Sequence, residues 1–322
     1  MSPQTHRTAV ITGATSGIGY HTALGLAAHG ITVVLACRHP GRMRATAEAI
    51  RAQHPTASID EVTLDLGNLT SIHAAAQQIT TRHPHLDILI NNAGIMNTPA
   101  WTTLDGIEMQ FGVNHLGHYA LTMLLLDNLL TAPHARVVTV SSLAHRRAHT
   151  DIEQWPHPRD YRPSRAYAAS KLANLLFAQE LHRRLHPAVH TAMSVACHPG
   201  WSHTNLPYLG PRARGHRAAV AGLRVLAALV TQPAAKGALP SLHAATRPDV
   251  TSGSYLGPTR LGHTRGPAGT DRPAAAATDP DLARRLWAVS EKLTGITHPG
   301  LTRRAETCTW TETTSRADTT VT

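Results

Sequence analysis

Short apolar runs alternate with alanine- and leucine-rich segments through residues 8–196. Runs rich in β-branched residues predict strands that are buried on both faces of a parallel sheet. These runs are Thr8–Thr12, Ile31–Cys37, Ser58–Leu64, Leu86–Ile90, Arg136–Ser141 and His190–Ala196. The segments between them predict helices at Ile18–His29, Leu69–Arg82, Met109–Leu130 and Ala166–Leu185. Such alternation favours an α/β fold with one doubly wound parallel sheet, right-handed crossovers and helices on both faces.

The pattern becomes less regular after Cys197. It predicts helices at Ala218–Val230, Ala234–Ala245 and Asp279–Thr294, and a last strand at Ser254–Leu256. The stretch Gly257–Asp279 is rich in glycine, proline and threonine, which indicates a surface loop. The tail Thr302–Thr322 has almost no large apolar residue, which indicates disorder. We therefore expect one domain over residues 1–300 and a disordered polar tail over residues 301–322.

Cysteine usage and the amino terminus indicate a cytoplasmic protein. The three cysteines, Cys37, Cys197 and Cys308, lie far apart, which excludes a disulfide framework and a cysteine zinc site. The first residues lack the long apolar core of a signal peptide. The most apolar window, Ala218–Val230, is interrupted by Arg224, so we expect no transmembrane segment.

The charge of the chain invites a nucleic-acid interpretation that the distribution of the charge does not support. The 322 residues include 30 lysines and arginines against 20 aspartates and glutamates, a formal charge of +10. Lysine occurs only at Lys171, Lys236 and Lys292, and the arginines are scattered rather than arranged in a stripe with aromatic residues. The 23 histidines show no metal-ligand spacing. We expect neither a nucleic-acid partner nor a metal site.

A glycine-rich turn, Thr12-Gly13-Ala14-Thr15-Ser16-Gly17-Ile18-Gly19, joins the first predicted strand to the first helix. Glycines there let the backbone turn tightly and approach a pyrophosphate, whose charge then lies at the helix amino terminus. A simple turn is the alternative, but the position between a buried strand and a helix favours dinucleotide binding. The expected contacts in this turn are Gly13, Thr15, Ser16, Gly17, Ile18 and Gly19.

The ends of the next two predicted strands carry residues that can contact the adenosine half of the cofactor. Arg38 stands about 20 residues past the glycine turn, where an arginine can pair with a 2′-phosphate and an acidic residue would bind the 2′-hydroxyl. Arg38 therefore favours NADP(H) over NAD(H), although it could be one more scattered arginine. Asp65, followed by Leu66, could accept from the adenine amino group or cap a helix.

Tyr167 and Lys171 are spaced four residues apart at the start of a predicted helix, so they lie one turn apart on one face. A phenol has a pKa near 10 and exchanges protons poorly at neutral pH until a nearby cation lowers that pKa. Lysine supplies such a charge and can itself pass a proton, which arginine cannot. In a chain with three lysines, this spacing favours a proton-transfer pair.

The motifs together resemble the short-chain dehydrogenase/reductase family, whose fold is a Rossmann-type sheet. The resemblance runs from TGATSGIG through NNAG (Asn91–Gly94) to YAASK and covers about residues 8–256. The segments ACR, QFGVNHLGHYALT, SSLAH, SKLANLLFAQEL and HPGWSHTNL resemble the retinol-dehydrogenase-like branch.

The resemblance implies a role for each matching residue. Tyr167 is expected to be the general acid/base, Lys171 to lower its pKa and bind the nicotinamide ribose, and Ser142 rather than Ser141 to bind the substrate oxygen. Asn114 is expected to hold a water that links the lysine to solvent. The remaining cofactor contacts are expected at Asn92, Ala93, Gly94, Pro199, Gly200 and Thr204. The resemblance also implies a dimer or tetramer formed through the helices that carry Asn114 and Tyr167.

Two segments are candidates for the substrate side. The loop Leu143–Ala166 carries His145 and Trp155, which could line a pocket, although loop packing is the favoured interpretation. The apolar segment Ala218–Val230 lies where family members carry a substrate lid, within a lid region of about residues 200–260. An ordinary packed helix is the equal alternative for that segment.

These observations predict an NADP(H)-dependent oxidoreductase that acts on a small or lipophilic carbonyl or alcohol, with reduction as the expected direction. A non-catalytic cofactor-sensing regulator is one alternative, but it would not need Ser142, Tyr167 and Lys171 together. An epimerase or dehydratase of the same fold is another, and a nucleic-acid-binding protein is the third.

Overall fold

The computed structural model of the protein describes residues 7–185, 191–201 and 232–301. The strands in this part of the chain are β1 (Thr8–Thr12), β2 (Thr32–Cys37), β3 (Ile59–Thr63), β4 (Ile88–Asn91), β5 (Arg136–Val140), β6 (Met193–Cys197), β7 (Tyr255–Arg260) and β8 (Arg265–Thr270). They form one sheet in the order β3-β2-β1-β4-β5-β6-β7-β8. The first seven pair in parallel, and β8 is antiparallel to β7. The predicted α/β fold with a doubly wound sheet is confirmed.

Helices connect the strands on both sides of the sheet. The α-helices are α1 (Gly17–Ala28), α2 (Pro40–Gln53), α3 (Leu69–Arg82), α4 (Met109–Phe111), α5 (Gly117–Leu124), α6 (Leu126–Leu130), α7 (Pro163–Arg184), α8 (Ala234–Gly237), α9 (Leu239–Thr246) and α10 (Pro280–Thr294). A π-helical turn, Gly112–Leu116, lies between α4 and α5. Short 3₁₀ turns occur at Leu143–Arg147, Ile152–Gln154 and Ala275–Thr278.

The core lies on both faces of the sheet because neighbouring strand residues point to opposite sides. Val10 of β1 packs in a fully buried cluster with Tyr119 of α5. The next residue, Ile11, packs in a second cluster with Leu26 of α1 and Ile50 of α2. A central strand such as β1 is therefore buried at every position, and the carboxyl ends of the parallel strands meet along one edge of the sheet.

The structure contradicts the prediction of a surface loop over Gly257–Asp279. Strand β7 continues into this stretch, and β8 pairs with it in an antiparallel hairpin. Pro258 and Pro267 lack an N–H group, so the sequence pattern argued against strands here. Such prolines are nevertheless tolerated in a hairpin at the edge of a sheet. Gly257 has a packing reason, because a Cβ atom there would lie 1.8 Å from Nε2 of His198.

Other element boundaries also differ from the sequence pattern. Helix α2 was not predicted, although a proline at its start and Met43, Ala47 and Ile50 on one buried face carry a helical signal. The helix predicted over Met109–Leu130 is divided by the π-turn and by a break at Leu125. The segment predicted at Ala234–Ala245 is broken at Ala238, and Ala218–Val230 and the tail from Thr302 lie outside the described residues.

Among the helices in the described ranges, none combines the length and the apolar character needed to cross a bilayer.

Candidate active site

The glycine turn after β1 leaves no room for side chains. Gly13 and Gly17 have φ angles of 69° and 56°, which glycine adopts without strain. A Cβ atom on Gly13 would lie 2.8 Å from the Ala93 Cα atom, and one on Gly19 would lie 2.3 Å from the Gly13 carbonyl oxygen. The backbone therefore forms a close-fitting cradle at the carboxyl end of β1.

The amino terminus of α1 faces this cradle and suits an anion. Within the described residues, the Ser16 side chain makes no capping hydrogen bond, and the first turn of α1 contains no acidic residue. Backbone N–H groups at a helix start bind phosphate oxygens, and the helix dipole favours their charge. The cradle and the helix start together fit the pyrophosphate of a dinucleotide.

The turn after β4 is tied to the end of β1. The Thr12 hydroxyl accepts hydrogen bonds from the backbone N–H groups of Asn92 at 3.0 Å and Ala93 at 2.9 Å. The Asn92 amide donates in return to the Thr12 carbonyl oxygen at 2.7 Å. The sequence-predicted residues of these two turns are thus brought together as one rigid surface.

The adenosine-side candidates lie at the ends of β2 and β3. Arg38 is exposed, with one guanidinium nitrogen 3.5 Å from Nε2 of His39. The Asp65 carboxylate accepts a hydrogen bond from the Gly67 N–H group at 2.9 Å, so it stabilises its own turn. Leu66 is buried in the core. The adenine contact of Asp65 and the cofactor contact of Leu66 stay predictions.

Tyr167 and Ser142 face each other between α7 and the end of β5. Tyr167 is 9% exposed, and the Ser142 side chain lies beside its hydroxyl. Burial raises the pKa of Tyr167, and the Ser142 hydroxyl opposes that rise. The lowering of this pKa by Lys171 stays a prediction.

Lys171 lies under this pair with its charge removed from solvent. It is 3% exposed, and burial lowers the pKa of its ammonium group to about 8. Its Nζ atom donates to the Val140 carbonyl oxygen at 3.1 Å and lies 5.9 Å from the centre of the Tyr167 ring. The Ser141 hydroxyl donates to the Lys171 carbonyl oxygen at 2.7 Å. Ser141 therefore fixes the helix, and Ser142 is the serine beside Tyr167.

Asn114 lies in the π-turn and is fully buried. Its side-chain oxygen accepts from the Ile95 N–H group at 2.8 Å, and its nitrogen donates to the Ile95 carbonyl and to the Ser170 hydroxyl, each at 2.9 Å. A Cβ atom on Gly94 would lie 3.3 Å from the Asn114 side-chain oxygen and 3.4 Å from Nζ of Lys171. The structure thus brings the asparagine and the lysine together beside the turn after β4.

The Pro199-Gly200 turn is held by a buried pair. His198 Nδ1 accepts from the Gly200 N–H group at 3.2 Å, so His198 Nε2 donates to the Asp271 carboxylate at 2.8 Å. The side chains of this pair are 0% and 1% exposed. Gly200 has a φ angle of 63°, and a Cβ atom there would lie 2.3 Å from the Thr264 carbonyl oxygen. Thr204, the remaining predicted contact, lies outside the described residues.

Comparison with known proteins agrees with this geometry. A family model for short chain dehydrogenases matches residues 7–207. Retinol dehydrogenase 13 of Homo sapiens is 40% identical over 300 residues, which cover 92% of this chain and 86% of the human protein. The chain belongs to the short-chain dehydrogenase family. This family consists of oxidoreductases, and the chain lies in its retinol-dehydrogenase-like branch.

Solved structures support the assignment to the short-chain dehydrogenase family. A crystal structure of an uncharacterized protein from Mycobacterium paratuberculosis is 39% identical, with a TM-score of 0.74 over 91% of this chain and 95% of that one. A structure described as a short chain dehydrogenase from Escherichia coli CFT073 complexed with NADPH is 26% identical. Its TM-score is 0.52 over 63% of this chain and 80% of that one.

The sequence interpretation missed part of this short-chain dehydrogenase site. His198 stands directly before Pro199, so the motif around the turn carried a signal for it. Asp271 carried none, because it lies 73 residues away and meets His198 only through the β7–β8 hairpin. His145 and Trp155 are 1% and 3% exposed. Their burial agrees with loop packing, the favoured alternative for both.

Proposed function

We propose that the protein is an NADP(H)-dependent oxidoreductase that transfers a hydride between nicotinamide and the carbonyl carbon of a small or lipophilic substrate. One observation carries this proposal: Ser142, Tyr167 and Lys171 converge beside a glycine cradle with no room for side chains at Gly13 and Gly19. A proton-transfer group and a dinucleotide-shaped surface therefore share one edge of the sheet.

Tyr167 exchanges the proton of the substrate oxygen. During reduction its hydroxyl gives a proton to the developing alkoxide, and during oxidation it takes the proton of the alcohol. The Ser142 hydroxyl, which lies beside the Tyr167 hydroxyl, donates to the same oxygen and stabilises its charge. A bound nicotinamide would supply or accept the hydride.

Lys171 can pass a proton to and from the site. Because burial lowers the pKa of Lys171 to about 8, its ammonium group releases and regains a proton near neutral pH. An arginine at this position would hold its proton permanently. Asn114 lies beside the lysine at Gly94, where it can orient the water that the family resemblance implies.

Arg38 supports the preference for NADP(H). It is exposed at the end of β2, where the ribose of a dinucleotide in the cradle would lie. The Escherichia coli relative was solved with NADPH, which is a property of that protein. We expect Arg38→Ala to weaken NADPH binding by about tenfold or more, as for loss of a charged hydrogen bond, with little effect on NADH. If Arg38→Ala weakened the binding of NADPH and NADH equally, Arg38 would not be a 2′-phosphate contact.

The substrate class is proposed from the branch. Retinol dehydrogenase 13 carries a lipophilic alcohol in its name, and the chain is 40% identical to it. We propose lipophilic carbonyls and alcohols, with reduction as the direction favoured by NADPH. Part of the proposed lid, residues 202–231, lies outside the described chain.

The decisive test is NADPH consumption by the full chain with a panel of aldehydes, ketones, retinoids and steroid-like carbonyls. Wild-type protein should reduce at least one class, and Tyr167→Phe should lower kcat by about 10²- to 10⁴-fold through loss of the acid/base group. Tyr20→Phe is the matched control, since in the described part of the chain the Tyr20 hydroxyl accepts a hydrogen bond from Gln53 on the surface. Full activity of Tyr167→Phe would refute the assignment.

Compartment, domain organisation and assembly are proposals of the same kind. We propose a cytoplasmic enzyme because Cys37 and Cys197 are buried free thiols, whose pKa values burial raises to about 11. We also propose one catalytic domain over residues 1–300, and a dimer or tetramer through the helices that carry Asn114 and Tyr167. Light scattering on the full chain measures the assembly directly.

A further inference from the structure

A fully buried histidine connects two parts of the candidate site. His118 of α5 is 1% exposed and lies one turn after Asn114. Its Nδ1 atom is 2.9 Å from the Asn114 carbonyl oxygen, and its Nε2 atom is 2.8 Å from the Thr12 hydroxyl. The Thr12 hydroxyl has an alternative acceptor, the Ile90 carbonyl oxygen, which is farther away at 3.4 Å. Both ring nitrogens therefore have a partner.

The partners fix the protonation of the ring. A carbonyl oxygen can only accept, so Nδ1 of His118 carries the hydrogen and donates it to Asn114. The unprotonated Nε2 accepts from the Thr12 hydroxyl. That hydroxyl can donate once, and its oxygen accepts the N–H groups of Asn92 and Ala93. The neutral imidazole with hydrogen on Nδ1 is therefore consistent with all of these hydrogen bonds.

The surroundings of His118 keep the ring neutral. Its pKa is lowered from 6.5 to about 4, mainly by burial and to a smaller extent by the charge of Lys171, while the hydrogen bond to Asn114 opposes the change. The titratable groups that face it within the described residues are Lys171 from α7 and His115 from the π-turn. At neutral pH the bond directions stated above hold.

We propose that His118 is a positioning residue of the proton relay, which fixes the Asn114 carbonyl and couples it through Thr12 to the turn under the cofactor. This inference rests on the proposed function, because it assigns His118 to the same proton path.

The coupling reaches the lysine through Asn114. The backbone carbonyl of Asn114 is held by His118, and its side chain is held by Ile95 and Ser170. The Asn114 side-chain oxygen and Nζ of Lys171 both lie close to Gly94. A shift of the Asn114 backbone therefore moves the group beside the lysine, whereas a shift of Thr12 moves the turn under the cofactor.

Two amide substitutions separate the two contacts of the ring. The amide nitrogen of His118→Asn lies where Nδ1 does, so it can still donate to Asn114 but cannot reach Thr12. The longer His118→Gln places its amide near Nε2, so it keeps Thr12 and leaves the Asn114 carbonyl without its donor. His115→Gln is the matched control, because His115 is equally buried on the same segment and contacts Ser290 instead.

The expected results differ for the two variants. His118→Gln should lower kcat by about 5- to 100-fold, the range for a buried acceptor that loses its donor, and leave the NADPH Kd within about twofold. It should also shift the pH profile of kcat, because the group beside Lys171 has moved. His118→Asn should keep most of kcat and weaken NADPH binding by about two- to tenfold. His115→Gln should change neither quantity by more than about twofold.

A direct measurement checks the tautomer without any substrate. Nitrogen-15 spectra of the histidine rings in the full chain, assigned by comparison with His118→Asn, should show hydrogen on Nδ1 at pH 7. The ring should also stay neutral well below its ordinary pKa of 6.5.

The proposal is overturned if the two His118 variants behave alike, if they match His115→Gln, or if the hydrogen is found on Nε2. Failure of the proposed function gives a different result, since wild-type protein would then reduce no member of the carbonyl panel. In that case NADPH binding by the two variants and the nitrogen-15 spectra still decide whether His118 couples Thr12 to Asn114.

Discussion

Two buried polar regions lie at the carboxyl ends of the strands, and they are built in different ways. The relay centre consists of Asn114, Ser142, Tyr167 and Lys171. The edge cluster consists of His145, His198, Tyr255 and Asp271. In the relay centre, Asn114 and Lys171 bond mainly to backbone atoms, of Ile95 and Val140 respectively. In the edge cluster, side chains bond to each other or to distant segments, as His198 does to Asp271 and His145 to the Ala274 N–H group.

Because of this difference, we expect the relay centre to matter mainly for catalysis and the edge cluster mainly for stability. In the relay centre the Val140 carbonyl, which accepts from Lys171, also accepts from Asn174 at 3.0 Å and so keeps a donor when the lysine is replaced. In the edge cluster, His145 holds the backbone at Ala274, and His198 holds the end of β8 through Asp271, so both contacts join segments that lie far apart in the sequence. We therefore expect relay substitutions to remove activity and spare the fold, and edge substitutions to weaken the fold first.

The largest expected effect is that of Lys171→Met. The methionine fills the same space without a charge, and Val140 keeps its bond from Asn174. The kcat should fall by about 10²- to 10⁴-fold through loss of proton transfer. The free energy of unfolding should stay constant or rise, because a buried cation has been removed. Lys171→Arg, which keeps a charge that cannot leave, should be similarly inactive. A large loss of stability in Lys171→Met would break the comparison.

The second effect is acid destabilisation caused by the two buried histidines next to the relay centre. Burial lowers the pKa of His115 to about 3 and that of His118 to about 4, from 6.5. Below pH 6.5 the folded protein therefore binds fewer protons than the unfolded chain. The free energy of unfolding is unaffected by these histidines above pH 6.5 and declines as the pH falls towards 4. The two histidines together should cost about 2 to 3 kcal/mol per pH unit below pH 6.

Urea unfolding at pH 7, 6 and 5 measures this slope. In His115→Gln the slope should be smaller by about 1.4 kcal/mol per pH unit, because one buried imidazole has been removed. Burial also lowers the pKa of His198 in the edge cluster, although Asp271 opposes the shift. An unfolding free energy that is flat between pH 7 and 5 would contradict the neutral state of these rings.

The third effect concerns Asp271 and the edge cluster. Burial acts to raise the pKa of Asp271, but hydrogen bonds from His198 and the Arg272 N–H group outweigh it, so the pKa is lowered. Asp271→Ala should reduce the free energy of unfolding by about 1 to 3 kcal/mol, because the buried His198 loses its acceptor. Asp271→Asn keeps an acceptor oxygen and should lose less. The kcat of the folded variant should change by less than about tenfold, since His198 supports the Gly200 turn and is not one of the proposed proton-transfer residues. If kcat fell by much more than tenfold while the free energy of unfolding stayed nearly constant, the edge cluster would also take part in catalysis.

Much of the relay centre could be predicted from the sequence because its partners are close in the chain or lie in strongly patterned segments. Tyr167 and Lys171 share one helical turn, and the glycine turn follows a strand whose five residues are all buried. The parallel sheet followed from the same apolar runs. Asn92 and Thr12 lie 80 residues apart, yet each ends a predictable strand.

The edge cluster could not be predicted because its signal depends on three-dimensional pairing. Strand β8 has no apolar alternation, and it forms because Leu256 and Gly257 of β7 pair with Thr270 and Gly269. Only then does Asp271 reach His198. The tautomer of His118 was hidden for the same reason, since it depends on bonds to Thr12 and Asn114 rather than on a motif.

The smallest expected effect tests whether the two regions unfold together. Asn68 caps α3 on the cofactor side, and Asp279 caps α10 beyond the edge cluster; each side chain accepts from two N–H groups of its first turn. Replacing either with alanine should cost about 1 kcal/mol, and with serine clearly less.

Because Trp287 of α10 stacks on Phe177 of α7 with ring centres 5.9 Å apart, both losses should appear in one transition followed by tryptophan fluorescence. The two alanine variants should shift the urea midpoint by similar amounts at an unchanged slope. If Asp279→Ala instead produced a separate early transition, the edge would be a unit of its own. The contrast between the regions would then be one of independent folding rather than of hydrogen-bond partners.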